Sequence, residues 1–205
     1  MSKDYMNLGA TYEYAINKMA AREPEVMAQN AGVPYNAEKQ VFTVKFINQD
    51  YLVTYPEGVV TQVDSDAEVP IAIKILSLHY LYTANGASLQ NKWISFKELP
   101  DGAIYIGPFT NRAINPMLKM FADRQQELIE AAQKAGGRIE KLGDTSVTVN
   151  AFPHVPITYV LYSADEEFPA SGNILFDGSA ASYLATEDYA LLSGLVLNHL
   201  NSLID

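Results

Sequence analysis

Cysteine is absent from the 205 residues of this chain. Without a thiol, the protein cannot form a disulfide, hold zinc or an iron–sulfur cluster through cysteine, or use a cysteine nucleophile. Basic residues are also scarce, because 14 lysines and arginines stand against 24 aspartates and glutamates, for a net charge of −10. Non-specific affinity for nucleic acids comes mostly from basic side chains, so we expect no nucleic-acid partner.

Long hydrophobic runs are missing as well, and we expect no targeting signal. The most apolar stretch, residues 71–82, contains Lys74 and His79 and is much shorter than the roughly 20 residues that span a bilayer. Residues 1–5 are not those of a signal peptide. We therefore expect a cytoplasmic protein with no membrane partner.

Motifs that identify common enzymes are lacking too. The chain has no Gly-x-Ser-x-Gly elbow, no phosphate-binding loop, no dinucleotide-binding glycine turn and no His-Glu-x-x-His pair. The sequence therefore leaves open whether the protein is an enzyme.

The residues that are present predict a packed α+β protein. Hydrophobic residues make up 48% of the chain and charged residues 19%, which is enough apolar material for a core. Strand patterns occur in runs between helix patterns, which favours a single compact domain over 1–205, with mainly antiparallel sheets and about four main helices. The predicted helices are 4–30 with a break at Pro24, 70–84, 115–135 and one from Thr186; the predicted strands are 41–47, 51–55, 59–63, 146–150, 157–162 and 173–176.

Three local signals sharpen this outline. Asn115 before Pro116 predicts a helix that starts with an asparagine cap and a proline in its first turn. Thr186 before Glu187 predicts a threonine cap on the last helix. Residues 103–106 are a short apolar run that we interpret as a strand.

Several spaced blocks in the second half carry a family resemblance. They are residues 93–102 with Phe109 and Arg112, then 143–144, 152–153, 155–156, 165–169, 175–177 and 183–188. Together they resemble an uncharacterised bacterial and archaeal family called domain of unknown function 3786, over about residues 70–200.

This resemblance implies no defined activity. Some members of the family look fused to a four-cysteine iron–sulfur domain similar to that of corrinoid proteins in anaerobic one-carbon metabolism. The present chain has no cysteine and cannot hold that cluster. It also has no histidine two residues after an aspartate, as the cobalt-ligating motif requires. The resemblance implies an association with anaerobic metabolism and a metallocofactor or corrinoid, without a substrate.

Aromatic and basic residues suggest one ligand site. Trp93 is the only tryptophan, and with Phe96 and Arg112 it is predicted to line a pocket for a flat or anionic ligand. His154, held between two prolines, is the preferred functional histidine, as a base or as an axial metal ligand. Alternatively, Trp93 and Phe96 anchor a loop to the core, and Arg112 pairs with one of the many acids.

Carboxylates suggest a second kind of site. Asp165 and Glu167 lie in the densest acidic cluster, and Asp177 follows a predicted strand. Oxygen ligands of this kind suit a divalent metal such as Mg²⁺ or Ca²⁺. The alternatives are a solvated turn for the cluster and a cap on backbone N–H groups for Asp177.

Three functions follow as hypotheses. The first is a binding or accessory domain for a small molecule or metallocofactor near Trp93, Arg112 and His154. The second is a metal-dependent enzyme that uses Asp165, Glu167 and Asp177. The third is a protein-interaction domain that forms a homodimer or docks a partner through tyrosines of the N-terminal helix, including Tyr5, Tyr12 and Tyr14.

Overall fold

A computed structural model describes residues 8–204, and the chain divides after Ala87 into two units. The first unit begins with helices α1 (Leu8–Ala20) and α2 (Pro24–Ala31). Pro24 starts α2 because a proline in the first helical turn loses no hydrogen bond, so the predicted break is confirmed. Residues 4–7 of the predicted helix, including Tyr5, lie outside the described residues.

An antiparallel meander follows in the first unit. Its strand order is β1-β2-β3-β4, and alternation along β2 points Phe42, Val44 and Phe46 into the core. The strands are β1 (Tyr35–Asn36), β2 (Val41–Phe46), β3 (Gln49–Thr54) and β4 (Val60–Gln62). The predicted meander is confirmed, and β1 is an addition too short to give a sequence pattern.

The unit ends with α3 (Ile71–Thr83), which packs against α1 and α2. Six of its residues are buried, as its almost entirely apolar sequence predicts. The Tyr80 hydroxyl donates a hydrogen bond of 2.6 Å to the carbonyl of Ala31, so this buried tyrosine is satisfied within the unit.

The second unit contains a five-stranded antiparallel sheet in the order β5-β9-β8-β7-β6. Its strands are β5 (Trp93–Ser95), β6 (Arg138–Ile139), β7 (Thr145–Phe152), β8 (Val155–Tyr162) and β9 (Ser171–Asp177). The three long strands confirm the predicted ones. Side chains on one face are apolar and buried, as Val149, Ile157 and Phe176 show. The other face carries polar residues such as Thr148, Thr158 and Asp177.

Helices cover the apolar face of this sheet. They are α4 (Gly102–Phe109), α5 (Asn115–Phe121), α6 (Gln125–Lys134) and α7 (Thr186–Ser202), and a π-helical turn, residues 110–114, joins α4 to α5. The helices α6 and α7 contact β7, and α5 contacts β9. The hydroxyl of Tyr159 on β8 donates to the carbonyl of Ser193 on α7 at 2.8 Å, which ties helix and sheet together.

Four local predictions are wrong here. Residues 103–106 are helical. The prediction of a strand failed because a four-residue apolar run is compatible with both a strand and a helix. Asn115 has helical angles (φ −61°, ψ −45°) and caps nothing, since the π turn continues the helix into it. The predicted 115–135 helix breaks between α5 and α6. Thr186 lies inside α7, behind the cap residue Ala185, and its hydroxyl donates to the carbonyl of Pro100.

The α+β class with antiparallel sheets is confirmed. Residues 8–204 contain seven α-helical segments instead of about four, because two predicted helices are divided and α4 was interpreted as a strand. The assignment of all elements to one domain over 1–205 stays a prediction. None of the helices in the described part of the chain is long and apolar enough to cross a membrane.

Candidate functional site

A groove of about 440 Å³ lies on the polar side of the sheet in the second unit. Strand register explains its composition, because Trp93 on β5 pairs with Asp177 on β9, and Asn150 on β7 pairs with Pro156 on β8. We call it the Trp93 groove; it is lined by Leu89, Asn91, Trp93, Arg138, Glu140, Asn150, Pro156 and Asp177. Its volume falls in the range of small-molecule sites, roughly 300–1,000 Å³.

Asp177 fixes the backbone of residues 90 and 91 at one end of this groove. Its side chain is 3% exposed and accepts hydrogen bonds from the backbone N–H groups of Gln90 at 2.9 Å and Asn91 at 2.7 Å. The backbone N–H and the hydroxyl of Ser179 also donate to it, at 2.9 and 2.6 Å. Asn91 has a positive φ of 54°, an uncommon conformation that these contacts hold. The interpretation of Asp177 as a cap on backbone N–H groups is thus confirmed.

These hydrogen bonds keep the Asp177 carboxylate charged. Burial by itself would raise the pKa of this carboxyl, since a buried charge loses hydration. The hydrogen bonds from Ser179, Gln90 and Asn91 stabilise the ionised form more strongly, so the pKa lies below its usual value. The groove therefore contains a fixed negative charge at neutral pH.

A chain of hydrogen bonds crosses the sheet from β8 through β7 to β6, on the side of the groove away from Asp177. The Thr148 hydroxyl donates to Glu140 Oε1 at 2.9 Å and lies 2.6 Å from the Thr158 hydroxyl. Because the Thr148 proton points to Glu140, Thr158 is the donor in the second bond. Arg138 Nε also donates to Glu140 Oε1, at 2.8 Å. We call Thr158, Thr148, Glu140 and Arg138 the relay.

The hydrogen bond to Glu140 fixes the orientation of the Arg138 guanidinium. Nε of Arg138 is occupied by Glu140, and neither Nη atom hydrogen-bonds to any residue in 8–204. Gly137 permits this placement, because a Cβ there would lie 2.6 Å from the carbonyl oxygen of Thr148. The guanidinium thus offers its two Nη groups as donors at the groove.

The remaining groove groups can bind a polar molecule. Trp93 is half-buried and presents an aromatic ring, and Asn150 is exposed with an amide that hydrogen-bonds to none of residues 8–204. One guanidinium faces two carboxylates, Glu140 and Asp177, so the lining has a net negative charge. This charge disfavours the anionic ligand expected from the sequence.

Phe96 does not share the groove with Trp93. Its ring is 1% exposed and stacks on Phe109 with centroids 3.9 Å apart, in the core. Both rings form the floor of a second groove of about 440 Å³ in the same unit. We call it the Lys97 groove; it is lined mainly by Phe96, Lys97, Ile106, Phe109, Ile114 and Asn173.

Arg112 and His154 line neither of these two grooves. Arg112 is exposed in the π turn and has no acid within 4 Å among residues 8–204, so the predicted pairing with an acid is wrong for that part of the chain. His154 lies in the turn between β7 and β8, with its ring 5.3 Å from that of Tyr183. Burial and the charge of Asp177 raise the pKa of the Tyr183 hydroxyl.

The three acids predicted to bind metal are not brought together. Asp165 and Glu167 lie in the exposed loop before β9, whereas Asp177 ends that strand. Asp165 Oδ1 accepts the backbone N–H groups of Glu167 at 2.9 Å and Phe168 at 2.7 Å, which makes it a turn residue. No group of three or more histidine or acidic side chains suited to a metal ion occurs among residues 8–204.

Tyr12 and Tyr14 on α1 differ in their exposure and contacts. The Tyr12 hydroxyl donates to the carbonyl of Gly58 at 2.5 Å, so this residue serves its own unit. Tyr14 is 57% exposed, with the Lys18 ammonium 5.2 Å from its ring centroid. The homodimer through this helix stays a prediction.

Sequence reasoning missed Arg138, Glu140 and Asn150. The signal for the first two is weak: a double glycine ends a helix and is followed by two charged residues, two positions apart, with Ile139 between them. Such spacing places both on one face of a strand, but β6 has only two residues. Asn150 had a clearer signal, as the polar end of an alternating strand.

Comparison with known proteins gives a family and no activity. The family model described as a domain of unknown function (DUF3786) matches residues 23–199. No curated protein and no solved structure matches the chain.

Proposed function

Because the chain belongs to the family of the domain of unknown function 3786, whose description names no activity, we propose a function from the geometry of the Trp93 groove. In this proposal, the second unit is a binding module for a small uncharged molecule. The ligand has one flat apolar face and hydrogen-bonding groups at its rim. Nucleosides and sugars have this chemistry, so both serve as probes.

One observation carries the proposal. The half-buried ring of the only tryptophan lies in the same groove as the Asn150 amide and the Arg138 Nη groups, which are unoccupied by residues 8–204. Aromatic rings bind flat apolar faces, and the two polar side chains supply directed donors and an acceptor. The relay and the Asp177 contacts hold this arrangement before a ligand arrives, which lowers the entropy cost of binding.

The charge of the groove selects the ligand class. Two carboxylates against one guanidinium repel an anion, and the protein carries a net charge of −10. The metallocofactor implied by the family resemblance is a weaker candidate, since His154 does not line this groove. Haem and cobalamin therefore enter the test as comparison ligands.

Tryptophan fluorescence tests the proposal directly, because Trp93 is the only tryptophan. We expect adenosine, uridine or glucose to change the Trp93 emission in a saturable way, and AMP to bind at least tenfold more weakly than adenosine. Asn150→Ala and Arg138→Gln should each weaken binding by about tenfold, which corresponds to one hydrogen bond of about 1.4 kcal/mol. Asn111→Ala, in the π turn, is the matched control and should leave affinity unchanged.

Two outcomes would contradict the proposal. The first is an emission that no neutral probe changes at millimolar concentration. The second is binding that both groove variants retain in full, because the ligand would then lie elsewhere. Saturable binding of haem or cobalamin that depends on His154 would favour the metallocofactor hypothesis instead.

A further inference from the structure

The Lys97 groove differs in chemistry from the Trp93 groove although the two have equal volumes. Its lining combines apolar and polar residues: Phe96 and Phe109 are each 1% exposed, Ile106 and Ile114 are half-buried, and Ser95, Lys97, Thr110 and Asn173 supply polar groups. A groove of about 440 Å³ with such a lining accommodates the apolar body of a small organic molecule.

Two polar side chains of this groove, Lys97 and Asn173, have donors available. Lys97 is exposed, and its ammonium has no acid within 4 Å among the residues that the structure describes. The Asn173 amide oxygen accepts the N–H of Ile174 at 2.9 Å, and its NH₂ group donates to none of residues 8–204. No carboxylate belongs to the lining.

The nearest acid in sequence does not neutralise Lys97. Glu98 Oε2 accepts the backbone N–H of Ser95 at 2.7 Å and the Ser95 hydroxyl at 2.9 Å, in a capping box around the turn at 96–98. The Thr110 hydroxyl is likewise engaged, since it donates to the carbonyl of Ile106 at 2.8 Å. Lys97 therefore contributes a positive charge, unpaired among residues 8–204, to the lining of this groove, in a protein with a net charge of −10.

We infer that the Lys97 groove is a second binding site, and that its ligand is a small monocarboxylate with an apolar aliphatic or aromatic body. The carboxylate pairs with the Lys97 ammonium and accepts from the Asn173 amide, while the body covers Ile106, Ile114 and the edges of the two phenylalanines. Charge complementarity and the absence of carboxylates from the lining distinguish this ligand class from the neutral one proposed for the Trp93 groove.

Calorimetric titration of the full chain tests the inference. The probe is 4-phenylbutyrate, and its amide is the uncharged counterpart of equal shape. We expect the acid to bind at least tenfold more tightly than the amide and to leave Trp93 emission unchanged. Lys97→Gln should reduce the affinity for the acid to that for the amide, and Lys97→Arg should retain most of it. Ile106→Asn should weaken both probes.

Lys119→Gln is the matched control, because it removes one exposed positive charge from α5 and lies outside the groove lining. Equal losses in Lys97→Gln and Lys119→Gln would overturn the inference, since they would show a general charge effect. An amide that binds as tightly as the acid would also overturn it. A short apolar peptide with a free carboxyl terminus is a further probe. If it binds more tightly than 4-phenylbutyrate, the inference of a small-molecule ligand is overturned in favour of the carboxyl terminus of a protein.

These results are independent of the proposed function. The Trp93 emission reports the first groove and the calorimetric difference between acid and amide reports the second, so either site can fail while the other holds.

Discussion

The two grooves of the second unit have about the same volume and share strands β5 and β9, yet they are built in different ways. The Trp93 groove has an aromatic residue at its surface and a network of hydrogen bonds beneath it. The Lys97 groove has its aromatic residues in the core and one exposed charge at its rim. Volume alone therefore does not determine what a groove can bind: we propose that the first groove selects its ligand by directed hydrogen bonds and the second by apolar contact and a single charge.

Trp93 and Phe96 provide the largest expected contrast between the two regions. Phe96→Ala should lower the free energy of unfolding by about 3–5 kcal/mol, because it removes a buried ring that stacks on Phe109. Trp93→Ala should cost about 1 kcal/mol, because its ring is only half-buried and faces a groove. Urea unfolding of both variants measures the difference. Equal costs would show that Trp93 is a core residue, which would remove it as a ligand platform.

The next effect in size is at Asp177, which organises only the Trp93 groove. Asp177→Asn should lower the free energy of unfolding by about 2–3 kcal/mol, because hydrogen bonds to a charged acceptor are the strong ones. The amide would also place a donor where Oδ2 accepts the N–H of Asn91. Calorimetric melting checks this, and affinity for 4-phenylbutyrate, corrected for folded fraction, should be unchanged.

Asp144→Asn is the control for this substitution. Asp144 is exposed and accepts the N–H of Ser163 at 2.7 Å, so its replacement should cost less than about 1 kcal/mol. A cost as large as that of Asp177→Asn would show that the buried contacts of Asp177 contribute little.

The charge of Asp177 also predicts how acid affects stability. Its pKa is lowered in the folded protein, so the folded state binds the proton less readily than the unfolded chain. The stability that Asp177 contributes is complete above the usual aspartate pKa of about 3.9 and is lost as the pH falls through the lower folded pKa. Unfolding of the native protein and of Asp177→Asn at pH 7 and pH 3 should show a smaller difference at pH 3. A difference that does not change with pH would contradict this.

The fold was more predictable from the sequence than the site. The meander and strands β7, β8 and β9 follow from alternation, which is a local property of the chain. The pairing of Trp93 with Asp177 joins residues 84 positions apart in sequence, and no local pattern contains that register. The sequence groups Trp93 and Phe96 in one aromatic and basic block, but the turn at 96–98 places them in different grooves.

A moderate effect is expected at the relay. Thr148→Val should lower the free energy of unfolding by about 1–2 kcal/mol, because Thr158, 0% exposed, loses its hydroxyl partner. It should also weaken neutral ligands several-fold, since Glu140 and Arg138 lose one support, and leave the affinity for 4-phenylbutyrate unchanged. Fluorescence and calorimetric titrations measure the two affinities. Thr148→Ser keeps the hydroxyl and should restore neutral-ligand binding; failure to do so would show that the methyl group matters and not the hydrogen bond.

The smallest effect is expected at Asp165, which lies in neither groove. Asp165→Ala should cost about 0.5–1 kcal/mol, because an exposed turn loses two side-chain hydrogen bonds to backbone N–H groups. Both ligand affinities should stay at their native values, and Asp165→Asn, which keeps an acceptor oxygen, should restore most of the stability. The same melting experiments test the metal hypothesis, since Mg²⁺, Mn²⁺ or Ca²⁺ should leave the melting temperature of the native protein unchanged. A metal-dependent rise that Asp165→Ala abolishes would contradict the turn role, because it would make this loop a cation site and give the second unit a third ligand chemistry.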